Sequence, residues 1–174
     1  MEYEEISKLD AAKRQLTVAI RMFFERRDSI AVHTLAAASQ GILLDLAKTK
    51  DMKSLLIDSE MIRPEKREEV NRKFRKAQNF LKHADHDPES IFKYYPEITP
   101  FFLFDACLLY EKLTNRKFPE AIGFCGWFYM RYPDLLMEGE VKNKLNELQG
   151  NADPDDFELF LYAIDQLHQN TGKE

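Results

Sequence analysis

Cysteine is scarce. Cys107 and Cys125 are the only two among 174 residues, so no disulfide framework holds this fold, and the pair reads as buried thiols of a reducing compartment. Glycine is sparse as well, at six residues, and none stands in a phosphate-cradling loop. HExxH and CxxC metal spacings are absent, as are the serine and cysteine nucleophile motifs. Cationic charge is not in excess: 25 Lys and Arg face 30 Asp and Glu, for a net charge of −5. That balance argues against a generic nucleic-acid surface, so RNA as a partner finds no support in net charge. The most apolar stretch, Phe101 to Tyr110, is too short for a membrane span and is broken by Asp105. The acidic start Met1-Glu2-Tyr3-Glu4-Glu5 lacks the character of a secretory signal. A cytoplasmic protein without a membrane partner is expected.

What the chain has is helical periodicity from end to end, with apolar residues at 44% and charged residues at 32%. One all-α domain over 1–174 is predicted, an antiparallel multi-helix bundle with additional short helices. Its core bundle covers about 5–132, and C-terminal helices about 133–170. Ile6, Leu9, Leu16, Ile20, Phe23 and Phe24 form one stripe of a first long helix. Asp28 or Ser29 caps the next, from Ile30 to about Lys48, whose alanines and leucines leave almost no polar face; it should be central and closely packed. A short helix is predicted over Asp51 to Ile57. A third long helix starts at Pro64, with Val70, Phe74, Ala77, Phe80 or Leu81, and Ala84 inward. Asp87-Pro88-Glu89, Thr99-Pro100, Phe118-Pro119-Glu120 and Asp153-Pro154 each read as a new helix start, and Gly150-Asn151-Ala152 as a joint. Gly123 and Gly126 predict close approach of a neighbouring helix to an aromatic run that includes Phe124, Trp127 and Tyr132.

Ligand-type residues concentrate between Asn79 and Asp87. On a continuing helix His83, His86 and Asp87 share a face, and His83, Asp85 and His86 are the candidate metal ligands, with His33 or Glu60 able to complete a site. Capping offers a competing account: Asp87 precedes a proline, and Lys82 and His83 suit a helix C-terminus. Asn79 and His83, one turn apart, are left as catalytic candidates together with His33, which lies near the start of the most apolar helix. A buried histidine requires a hydrogen-bond partner, and Thr34 or Asp105 is a candidate. Asp105 is either on a wet edge or paired inside, with His33, Arg75 and Lys82 as possible partners. No cofactor is indicated.

Two segments carry a resemblance. Ile30-Ala31-Val32-His33-Thr34-Leu35-Ala36-Ala37-Ala38 and Asn79-Phe80-Leu81-Lys82-His83-Ala84-Asp85 resemble an uncharacterised family of small bacterial proteins. The first hairpin, with its long helix, acidic tight turn and small-residue second helix, is similar to HEPN domains over roughly residues 9–90. That similarity implies a bundle of four or five helices, frequent dimerisation, and either metal-independent ribonuclease activity or partnership with nucleotidyltransferases. The family's catalytic pattern sets an arginine four to six residues ahead of a histidine. Arg27 and His33 fit it with five residues between them, though on an earlier helix than usual, whereas Arg75 and His83, with seven, do not. The expected function is therefore a HEPN-like binding or regulatory module acting through helix-face association, as a homodimer or with a protein partner. The alternative is an enzyme: a HEPN-type ribonuclease, or a metal-dependent hydrolase built on His83, Asp85 and His86.

Overall fold

The computed structural model describes residues 2–58, 68, 72, 76–83, 85, 88–135 and 153–171. Every regular element among them is a helix. Helix α1, Lys8–Phe24, begins where the Ser7 hydroxyl accepts the Asp10 backbone N–H at 3.1 Å. Ala12, Leu16, Ala19, Ile20 and Phe24 point into the core, while Ile6 precedes the helix and stays half exposed. Arg26, at φ 54°, turns the chain, and Asp28 caps α2, Ser29–Lys48, by accepting from Ala31 N–H at 3.0 Å. Helix α2 packs on α1 and on the later helix α3, Thr99–Thr114. Its Ala36, Ala37 and Ala47 are buried and allow the close approach that lets Ser39 Oγ reach the Ala12 carbonyl at 2.8 Å. Among the described residues α2 is the one helix long and apolar enough to cross a membrane, yet its alanines and leucines serve this core.

The region between α2 and α3 departs from expectation. Residues 52–58 form turns, not a short helix. The reason is local competition: the Ser54 hydroxyl accepts Ile57 N–H and the Asp58 carboxylate accepts Ser54 N–H, giving the backbone an alternative to helical bonding. Lys76 to Phe80 is helical, as are Glu68 and Arg72, with Ala77 buried. The start of that helix at Pro64, and Val70, Phe74, Arg75 and Ala84, lie outside the described residues, as do Glu60, His86, Asp87 and the Gly150-Asn151-Ala152 joint. No helix follows Pro88: 88–89 turn, and 90–95 run without regular structure until a 3-10 turn, Pro96–Ile98, leads into α3.

Helix α3 ends at Asn115, whose left-handed φ of 54° lets its N–H close on the Glu111 carbonyl. Helix α4, Pro119–Arg131, returns antiparallel, and Phe104 stacks on Phe128 with ring centroids 4.0 Å apart. Helix α5, Phe157–Thr171, lies against α4 and α1. Gly123 makes that packing possible, since a Cβ there would stand 2.5 Å from Cγ1 of the fully buried Ile164. Gly126 has no such role, because nothing lies within 4 Å of the equivalent position. The aromatic run is core: Phe23, Phe24, Phe124, Trp127 and Phe157 interlock, and the Trp127 indole N–H donates to the Pro154 carbonyl at 2.9 Å.

Candidate functional site

His33 sits in the second turn of α2 at 0% exposure, between the rings of Tyr94 and Phe102 at 5.5 and 5.0 Å. Its partner is neither Thr34, which bonds back to the Ile30 carbonyl, nor Asp105, but Thr99 at the start of α3. Nδ1 lies 3.0 Å from Thr99 Oγ1, which lies 3.0 Å from Tyr94 Oη, which donates to the Ser29 carbonyl at 3.0 Å. The proton order follows from that end point. With the Tyr94 proton committed to Ser29, Thr99 donates to Tyr94 and accepts from His33, which fixes the Nδ1–H tautomer. Nε2 then carries a bare lone pair, buried and without a hydrogen-bond partner. Burial, and secondarily the charge of Lys82, push the imidazole pKa down to about 4. The ring is neutral at physiological pH.

Asn79 and His83 do not join this histidine by hydrogen bonding, since both of its ring nitrogens are accounted for. They are exposed, and His83 N–H closes the helix end on the Asn79 carbonyl at 3.0 Å. His83 and Asp85 are both exposed, and His86 lies outside the described residues. Among the described residues no group of three or more His, Cys, Asp and Glu side chains stands close enough to share a metal ion. Arg27 is exposed and its Nε donates to Glu25 at 2.9 Å, so the Arg27 and His33 pair does not present a common polar face.

Asp105 is paired inside, and its partners among the described residues include neither His33 nor Lys82. Its carboxylate accepts from Gln40 Nε2 at 2.9 Å, Ser54 Oγ at 2.8 Å, and the backbone N–H groups of Leu55 and Leu56 at 2.9 and 3.1 Å. Four donors on two segments converge on one side chain of α3, which pins the 52–58 turns to the bundle. Sequence reasoning missed a second buried carboxylate, Glu120. It accepts from Arg21 Nε at 3.0 Å and from His168 Nε2 at 2.8 Å, while Arg21 also reaches Asp165 at 2.8 Å. Burial pushes the Glu120 carboxyl up, but bonds from His168, its own backbone and Arg21 outweigh this and hold it below the usual range. The sequence showed only an acidic residue favourable in a first helical turn; its partners lie on α1 and α5, which no local pattern connects to it. No protein-family model, no curated protein and no solved structure matches this chain.

Proposed function

We propose that this chain is a HEPN-like binding or regulatory module that works by helix-face association, as a homodimer or with a protein partner. The observation that carries this reading is the place of His33. A ribonuclease of the arginine–histidine kind requires an imidazole and a cation that reach the same phosphodiester. Here the imidazole is 0% exposed with Nδ1 committed to Thr99, and the Arg27 side chain lies at the surface beside Glu25. Asp105 and Glu120 are likewise consumed in holding segments together. Apolar side chains remain outside: Leu159 and Tyr162 one turn apart on α5, at 37% and 63% exposure, and Ile91 and Tyr95 ahead of α3.

Sedimentation velocity at micromolar concentration, paired with an RNA-cleavage assay in EDTA, tests the proposal. The expected result is a reversible dimer, weakened by Leu159→Glu or Tyr162→Glu, with RNA left intact. A monomer that cleaves RNA in EDTA, with activity lost in His33→Ala or His83→Ala, overturns it in favour of a ribonuclease. Stoichiometric metal in the purified protein, lost in a His83→Ala/His86→Ala variant, overturns it in favour of the metal-dependent hydrolase.

A further inference from the structure

The two cysteines face one another across the α3–α4 hairpin. Phe104 stacks flat on Phe128, with ring planes 7° apart, and fixes the register of these antiparallel helices. One turn from that stack toward the 115–118 connection come Cys107 on α3 and Cys125 on α4, on the same facing sides. Both line one cavity of about 210 Å³, shared with Tyr129 and rimmed by Glu111, Arg116 and Lys117. Cys107 is buried at 3% exposure, whereas Cys125 is half buried. Beside Cys125, Gly126 leaves open the space that a Cβ would take. That volume holds several water-sized molecules, a water occupying about 30 Å³ in the liquid.

We propose that Cys107 and Cys125 are a modification site, an oxidisable dithiol that a hydroperoxide entering this cavity converts to an intramolecular disulfide. The Cys125 thiolate attacks a peroxide oxygen; the O–O bond breaks, an S–O bond forms, and the sulfur becomes a sulfenic acid. Hydroxide, or alkoxide from an alkyl hydroperoxide, leaves and takes up the proton that the Cys125 thiol released. The Cys107 sulfur then attacks the Cys125 sulfur. An S–S bond forms, the S–O bond breaks, and the departing hydroxide takes the Cys107 proton as water. Two thiols and one hydroperoxide give one disulfide, one water and one further water or alcohol. The order of attack follows from the surroundings. Burial first, and then the hydrogen bond to Cys125, push the Cys107 thiol well above its ordinary range, so it stays protonated and reacts second. The product staples α3 to α4 at mid-length and closes the loop that contains the 115–118 connection.

The test uses the full chain, treated with hydrogen peroxide, then alkylated and mapped by mass spectrometry with and without prior reduction. A mass loss of about 2 Da, a linked peptide joining Cys107 to Cys125, and reversal by dithiothreitol are expected. In Cys107→Ala the expected product is a sulfenic acid at Cys125, trapped by dimedone; in Cys125→Ala, Cys107 stays unreacted over the same time. Two alkylatable thiols in treated wild-type protein overturn the proposal. So does direct passage of Cys125 to sulfinic acid, or a link found only between chains. The wild-type protein decides this alone if removal of the buried Cys107 thiol impairs folding.

Discussion

Asp105 and Glu120 are both buried carboxylates, at 1% and 2% exposure, yet the bundle neutralises them by different means. Asp105 meets no cation among its bonded partners in the described residues. Two neutral side chains and two backbone N–H groups saturate it, and all but Gln40 belong to one short non-helical segment. Glu120 meets Arg21 from α1 and His168 from α5, and both of these keep one edge in solvent. The first arrangement trades a charge for the position of a loop, because donors fixed in a turn match only one backbone path. The second ties helices through flexible side chains that can readjust. A buried charge held by rigid neutral donors should therefore be costlier to remove than one held by half-exposed cations.

The largest loss of stability is expected for Asp105→Ala. It strands the donors of Gln40, Ser54, Leu55 and Leu56 together, and a loss of about 3–5 kcal/mol is expected by urea denaturation. Amide exchange should lose protection first at Leu55 and Leu56. His33 supplies the next test, a buried polar group with one nitrogen bonded and one bare. Its folded pKa of about 4 lies below the ordinary 6.5. Between those values the unfolded chain binds the proton that the native chain refuses. Stability from this source is full above pH 6.5, falls as pH drops toward 4, and its loss reaches on the order of 3 kcal/mol below that. The difference between wild type and His33→Gln across this range isolates it from the carboxylates.

Gly123→Ala loosens the Glu120 arrangement, since the new methyl meets Ile164 and pushes α5, with its His168, away from Glu120. A cost of about 1–3 kcal/mol is expected from overpacking. Gly126→Ala, with open space around it, should instead stabilise by up to about 1 kcal/mol through helix propensity. Equal effects at the two glycines would remove the close α4–α5 contact from the account. The smallest effect is expected for His168→Ala, about 1 kcal/mol, because Arg21 still holds Glu120 and the lost partner is half exposed.

Much of the helical frame was legible because its causes are local. Asp28 before Ala31, Pro119 at a first turn, and the spacing of Leu16, Ile20 and Phe24 act within a turn or two of themselves. Legibility failed where local signals competed. Around Ser54 and Asp58 the side chains outbid the helix, and Pro88 marks a turn without a helix behind it. Gly123 and Gly126 look alike in sequence, and only the position of Ile164 separates them. At the candidate site, His33 was found because a histidine among alanines and leucines stands out. Its partner is not legible in sequence, because nothing local separates Thr99 from Asp105 on the same distant helix; only the packing of α2 on α3 does.

The sequence by itself determined that this chain is helical, where most of its helices begin, and that the alanine-rich second helix packs closely against others. Those properties follow from periodicity, caps and side-chain size along a single stretch of chain. Tertiary structure alone decided which polar groups meet: Thr99 with His33, Gln40 and Ser54 with Asp105, Arg21 and His168 with Glu120, and Cys107 with Cys125 across a cavity. Each of these pairings joins groups on different segments; the hydrogen bonds among them depend on burial and on distances of about 3 Å, which only the packed bundle sets.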